Sequence, residues 1–140
     1  MLQSRFTKQL FLLFILLSLF SCTLTTTKPK QPHFVSDTGA ISADIGRVIV
    51  AEEIVFAGSE IKTNGHTTSE LAITIVNAAN LPKDQEQCRE RGEQIAHLLK
   101  QALKDPDEYD AYKVIFLFER SKGVITTSES AEFYYPSGKL

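Results

Sequence analysis

Apolar and polar residues alternate with a period of two in two stretches of the chain, and recur with helical spacing in one. From Glu70 to Asn77, Leu71, Ile73 and Ile75 fall on one side, with Ala72, Thr74 and Val76 on the other. Successive side chains of a strand point to opposite faces, so this stretch reads as a strand with one apolar face. Tyr112 to Arg120 repeats the pattern, with Tyr112, Val114, Phe116 and Phe118 facing one way and Ile115 and Leu117 the other. Val124 to Tyr135 reads as a further strand, richer in Thr and Ser, the composition of an edge or half-exposed strand. Arg47 to Phe56 is β-branched, follows Gly46 and predicts a further strand, with a helical turn ahead of it at Ile41 and Ile45.

Between the strands at Glu70–Asn77 and Tyr112–Arg120, Cys88, Gly92, Ile95, Leu99 and Ala102 form one stripe of a helix, and Glu90, Glu93, Lys100 and Lys104 lie off it. Pro82 and the acidic residues after it suit a helix start, and Asp105-Pro106 suits its end. Gly92 in the apolar stripe implies close approach to a sheet, since mid-helix glycine costs about 1 kcal/mol relative to alanine. Gly58 and Asn64-Gly65 read as turns. The order β-β-α-β-β predicts an α+β fold: a mainly antiparallel four-stranded sheet with one helix packed on it. One helix covers one face. Ile115 and Leu117 mark the second face as a candidate binding surface, and residues 36–46 are expected to cover it.

The amino-terminal quarter changes the picture. Arg5 and Lys8 precede an uncharged apolar run of 11 residues, Leu10 to Phe20. At about 1.5 Å of rise per residue such a helix covers only half of a roughly 30 Å hydrocarbon core, so it reads as a secretory signal rather than a membrane span. Leu19-Phe20-Ser21-Cys22 follows without an Ala-x-Ala site. This tetrapeptide resembles the lipobox of bacterial lipoproteins, with Leu19, Ser21 and Cys22 in pattern and Phe20 where a small residue is usual. The resemblance covers residues 1–22. It implies cleavage before Cys22, recognition of Leu19, Phe20 and Ser21 by the signal peptidase, and acyl chains on Cys22 that hold the protein to the membrane. Each buried CH₂ of such chains contributes about 0.8 kcal/mol. Thr23 rather than Asp after the cysteine implies the outer membrane of a cell envelope. Residues 22–35, rich in Thr and carrying Pro29 and Pro32, are expected to be a flexible tether, with 36–140 a single domain.

Charge and composition exclude more than they select. The chain has 15 Lys+Arg and 17 Asp+Glu; without Arg5 and Lys8 the formal charge is −4, unlike the basic stripe of a nucleic-acid binder. With Cys22 acylated, Cys88 has no partner for a disulfide, and its place in the helix stripe fits a small buried hydrophobe.

No chemistry-bearing constellation stands out. His33, His66 and His97 lack metal-ligand spacing, and residues 105–110 put four carboxylates in one loop without the calcium-loop pattern, having Asp110 in place of its sixth-position Gly and Phe116 in place of its twelfth-position Glu. Glu52 and Glu53 are neighbours and point apart, and no nucleophile elbow or phosphate loop is present. The expectation is therefore a non-enzymatic envelope lipoprotein with a protein-binding or structural role, needing no cofactor or metal and binding an envelope protein or a second copy. The alternative is a carrier of a small apolar ligand on the open sheet face.

Overall fold

A computed structural model describes residues 24–140. The elements in chain order are β1 (Thr25–Pro29), α1 (Thr38–Gly46), β2 (Glu53–Thr63), β3 (His66–Val76), α2 (Gln85–Ala102), β4 (Ala111–Lys122), β5 (Ile125–Pro136) and a 3₁₀ turn (Ser137–Lys139). The fold is α+β. The sheet has five strands rather than four, in the order β1-β2-β3-β4-β5, and two helices rather than one.

Three of the four strand pairings are antiparallel, and the central one, β3 with β4, is parallel. The mainly antiparallel expectation missed this central pair. A helical crossover returns the chain to the end of the sheet where β3 began, which is the connection a parallel pair requires. Two adjacent hairpins then share one sheet through their inner strands.

The extra strand lies inside the expected tether. Thr25–Pro29 pairs with Ser59–Thr63 although all five residues are exposed, so the backbone ladder rather than side-chain burial holds it. Ordered structure begins before the expected domain boundary at residue 36. Beyond β1, Phe34 stacks edge-on against Phe56 with ring centroids 5.5 Å apart. Tyr109 donates its hydroxyl to the Lys30 carbonyl at 3.1 Å, and Lys30 Nζ donates to the Glu108 carbonyl at 2.6 Å. Gly58 lies within β2, not at a turn. A Cβ there would overlap the Lys30 carbonyl and the Tyr109 hydroxyl, so glycine admits the strap of residues 30–34.

The helical spacing of Ile41 and Ile45 outweighs the β-branched composition that follows them. Asp37 caps α1 by accepting the Ala40 N–H at 2.9 Å, and Val48 and Ile49 N–H still bond back to the Ile45 carbonyl. The strand expected from Arg47 consequently starts at Glu53. In α2 the cap is Asp84, whose carboxylate accepts from Glu86 and Gln87 N–H, so the helix begins after Pro82 rather than at it. The expected close approach at Gly92 is present: a Cβ would overlap the Tyr135 hydroxyl, which donates to the Arg89 carbonyl at 2.7 Å.

Both helices pack on one face of the sheet. Ile41, Ile45, Ile95 and Leu99 meet Leu71, Ile73, Ile75, Val114 and Phe116, all almost fully buried. Burying each such side chain stabilises by roughly 1.5–3 kcal/mol. Residues 36–46 were expected over the opposite face. They join the core instead, because the inner surface of β2 lies beyond the reach of α2 and needs its own cover.

Candidate functional site

The opposite, outer face of the sheet is the site that sequence alternation pointed to. The registers align Val55, Thr74, Ile115 and Glu132 in one row across β2 to β5. The next row runs Glu53, Val76, Leu117 and Ser130, and the one on the other side Ala57, Ala72, Lys113 and Tyr134. Ile115 and Leu117 are half-buried by their neighbours, Val55 is 42% exposed and Tyr134 is 57% exposed. Among the described residues no element packs over these rows. The result is a small aliphatic centre rimmed by polar groups, with Lys113 Nζ 3.0 Å from Glu132 Oε2 at the β5 side.

Two hairpin ends extend beyond the shared part of the sheet. β4 pairs with β3 only as far as Leu117 but with β5 as far as Lys122, so residues 118–129 form a two-stranded arm. Its tip is Gly123-Val124, with Gly123 at φ +64° and Val124 fully exposed beside the exposed Ile125. The β2–β3 end turns through Asn64 and Gly65, both at positive φ, as that dipeptide predicts. Because β3 and β4 are parallel, the two ends point in opposite directions. Leu24 accepts the Asn64 N–H at 3.3 Å, so the chain enters the described domain at the β2–β3 end.

Other candidate residues are spent on structure. Cys88 is buried, donates Sγ–H to the Pro82 carbonyl at 2.9 Å, and has its thiol pushed up in pKa mainly by burial, then by Asp84, against a lowering by Arg91. Glu108 accepts from, or pairs with, His33 Nδ1 at 2.8 Å, and Asp110 accepts from Ser69 N–H and Oγ–H at 2.7 and 3.0 Å. Asp105 accepts the Asp107 N–H, so this acidic loop is held by its own turn and by its ties to His33 and Ser69. Glu52 bonds the Asn77 side-chain amide, and Glu52 itself precedes β2. Among the described residues no three His, Cys, Asp or Glu side chains converge as metal ligands. The hydroxyls of Tyr109, Tyr112 and Tyr135 are each pushed up to about 12, first by burial.

Leu19, Phe20, Ser21 and Cys22 lie outside the described residues. No described helix is long and apolar enough to cross a membrane. Sequence reasoning missed a concavity elsewhere. A cavity of about 530 Å³ opens between residues 29–39 and β2, floored by Phe34, Ile54 and Phe56. A neighbouring one of about 360 Å³ lies between α1 and residues 49–54, and the two share Ser42 and Ile54. The stripe Gly39, Ser42, Ala43 and Gly46 was the only local signal, since the walls come from distant segments.

Comparison of the chain with protein-family models, with curated proteins and with solved structures gives no match.

Proposed function

We propose that this protein is a non-enzymatic lipoprotein of a bacterial cell envelope, held to the membrane by acyl chains on Cys22, whose domain binds a protein partner. The observation that carries the binding half is the outer sheet face. It presents Val55, Ile115 and Leu117 with a rim of Lys113, Glu132 and Tyr134, and no described element covers it. An uncovered apolar centre with a polar rim is the usual anatomy of a protein contact. Small apolar ligands favour concave sites, which an open sheet face does not offer.

The anchoring half rests on Leu19–Cys22 and on the placement of Leu24 at the β2–β3 end. Cys22 is two residues from Leu24, a reach of about 7 Å. An anchor there would hold the β2–β3 end against the bilayer and turn the 118–129 arm away from it.

The test is the mass of the mature amino terminus in membrane fractions, together with fractionation of a Cys22→Ala variant. A chain beginning at acylated Cys22, and a variant lost from the membrane, is the expected outcome. A free amine at another residue, on protein released without detergent, would refute the anchor.

A further inference from the structure

The two edges of the sheet differ in what borders them. On the β2 edge, β1 covers only Ser59–Thr63, and Lys30 N–H continues the pairing to the Gly58 carbonyl at 2.9 Å. Gly58 therefore turns its backbone polar groups outward. Antiparallel ladders alternate, so the N–H and C=O of Phe56 and Ile54 face the same way. Beyond Lys30 the chain leaves the edge for the inner face, and among the described residues no strand pairs with Phe56 or Ile54 on this side, opposite β3. Alongside this open half runs the double cavity already described, with α1 as its far wall and Phe34, Ile54 and Phe56 as its floor.

We propose that this groove takes an extended peptide segment of the protein partner, added as a strand antiparallel to β2 beyond the end of β1. The proposal rests on the protein-binding reading and specifies the site. Three observations select this occupant. β1 already demonstrates, in the same chain, that this edge accepts an antiparallel strand, so the peptide would extend an existing pairing. The width left between α1 and β2 is set by Gly39, Ser42, Ala43 and Gly46, whose side chains are too small to fill it. At the far end stand Glu53 and Glu52, the latter also accepting from the Asn77 amide, while Arg47 is turned to Asp44 at 3.6 Å.

Strand addition supplies affinity through main-chain bonds and specificity through alternate side chains. Here two N–H and two C=O groups are on offer. Every second peptide residue would enter the apolar floor and should be aliphatic. The residues between would extend the outer row beside Val55 and Ala57. An antiparallel strand brings its carboxyl-terminal end to Glu53, so the last residues should be Lys or Arg. The β5 edge, where α2 already closes over Phe133 and Tyr135, carries Glu129 and Glu132, and charged edge residues disfavour strand addition.

The test uses the full chain, isotopically labelled, and a pool of blocked hexapeptides with aliphatic residues at alternate positions and Lys at the last two. Titrated to about 1 mM, a concentration that detects even weak complexes, the pool should shift the amide resonances of Ile54, Phe56 and Ser42. Glu in place of Lys should weaken binding at least tenfold. Methylation of the peptide nitrogens that face β2 should abolish it with the side chains unchanged. Ser42→Trp, which fills the groove from its exposed wall, should lose the shifts while keeping the remainder of the spectrum. A silent groove, or equal binding by the N-methylated pool, overturns the proposal. Shifts confined to the Ile115 row overturn the groove and leave the protein-binding reading standing. Shifts at Phe56 that grow with protein concentration alone replace the peptide by a second copy.

Discussion

On β4, neighbours one residue apart meet opposite surroundings. Val114 and Phe116 are fully buried beneath the helices, while Ile115 and Leu117 share the outer face with Val55 and remain partly open. The backbone is the same, and hydrophobicity is nearly so. What differs is that both helices went to one side. Apolar character on a strand therefore has two meanings in this protein: stability on the inner face, and contact on the outer.

The largest effect that separates the faces falls on the inner-face tyrosines. Tyr109, Tyr112 and Tyr135 have hydroxyls pushed up to about 12 by burial, from an ordinary value of 10. Their raised folded pKa means that the stability is intact below pH 10 and is lost as pH rises through 12, because the unfolded chain ionises first. Each contributes a slope of up to about 1.4 kcal/mol per pH unit in that window. Denaturant midpoints measured across pH 9–12 should fall steeply, with three protons released on unfolding. A flat profile would separate these hydroxyls from the core.

Next comes Phe116→Ala, which should cost about 3–5 kcal/mol by leaving a cavity against Phe133, whose ring centroid lies 6.1 Å away. Gly92→Ala should cost about 1–3 kcal/mol through overlap with Tyr135, and Tyr135→Phe in the same chain should recover part of it. Additive losses in that double mutant would place the strain elsewhere. The smallest effect belongs to the outer face: Ile115→Ser and Leu117→Ser should change stability by less than about 1 kcal/mol. A loss on the scale of Phe116→Ala would mean that the outer face is internally packed.

Much of this division was readable from the chain. Alternation in β3 and β4 assigned Leu71, Ile73, Val114 and Phe116 to one side and Ile115 and Leu117 to the other, because period two is a local property. The same holds for the α2 stripe and the Asn64-Gly65 turn. β1 was not readable, since five exposed residues joined by backbone bonds leave no apolar trace. The parallel β3–β4 pair was hidden for a different reason: α2 fixes its own amphipathic face but not the end of the sheet to which it returns the chain. Residues 36–46 were misplaced because Ile41 and Ile45 show that a segment is buried, not which face it meets. The groove beside β2 depends on Phe34, Ser42 and Ile54 converging from three segments, and no single periodic stretch contains all three.

The outer face is tested most directly by photo-crosslinking in intact cells, with a photoreactive side chain placed in turn at Ile115, Leu117 and, on the same side of the arm, Thr126. Adducts to one protein of defined mass from positions 115 and 117, absent from 126, are the expected result. No adduct from either position, or equal labelling at all three, would contradict a dedicated contact surface there.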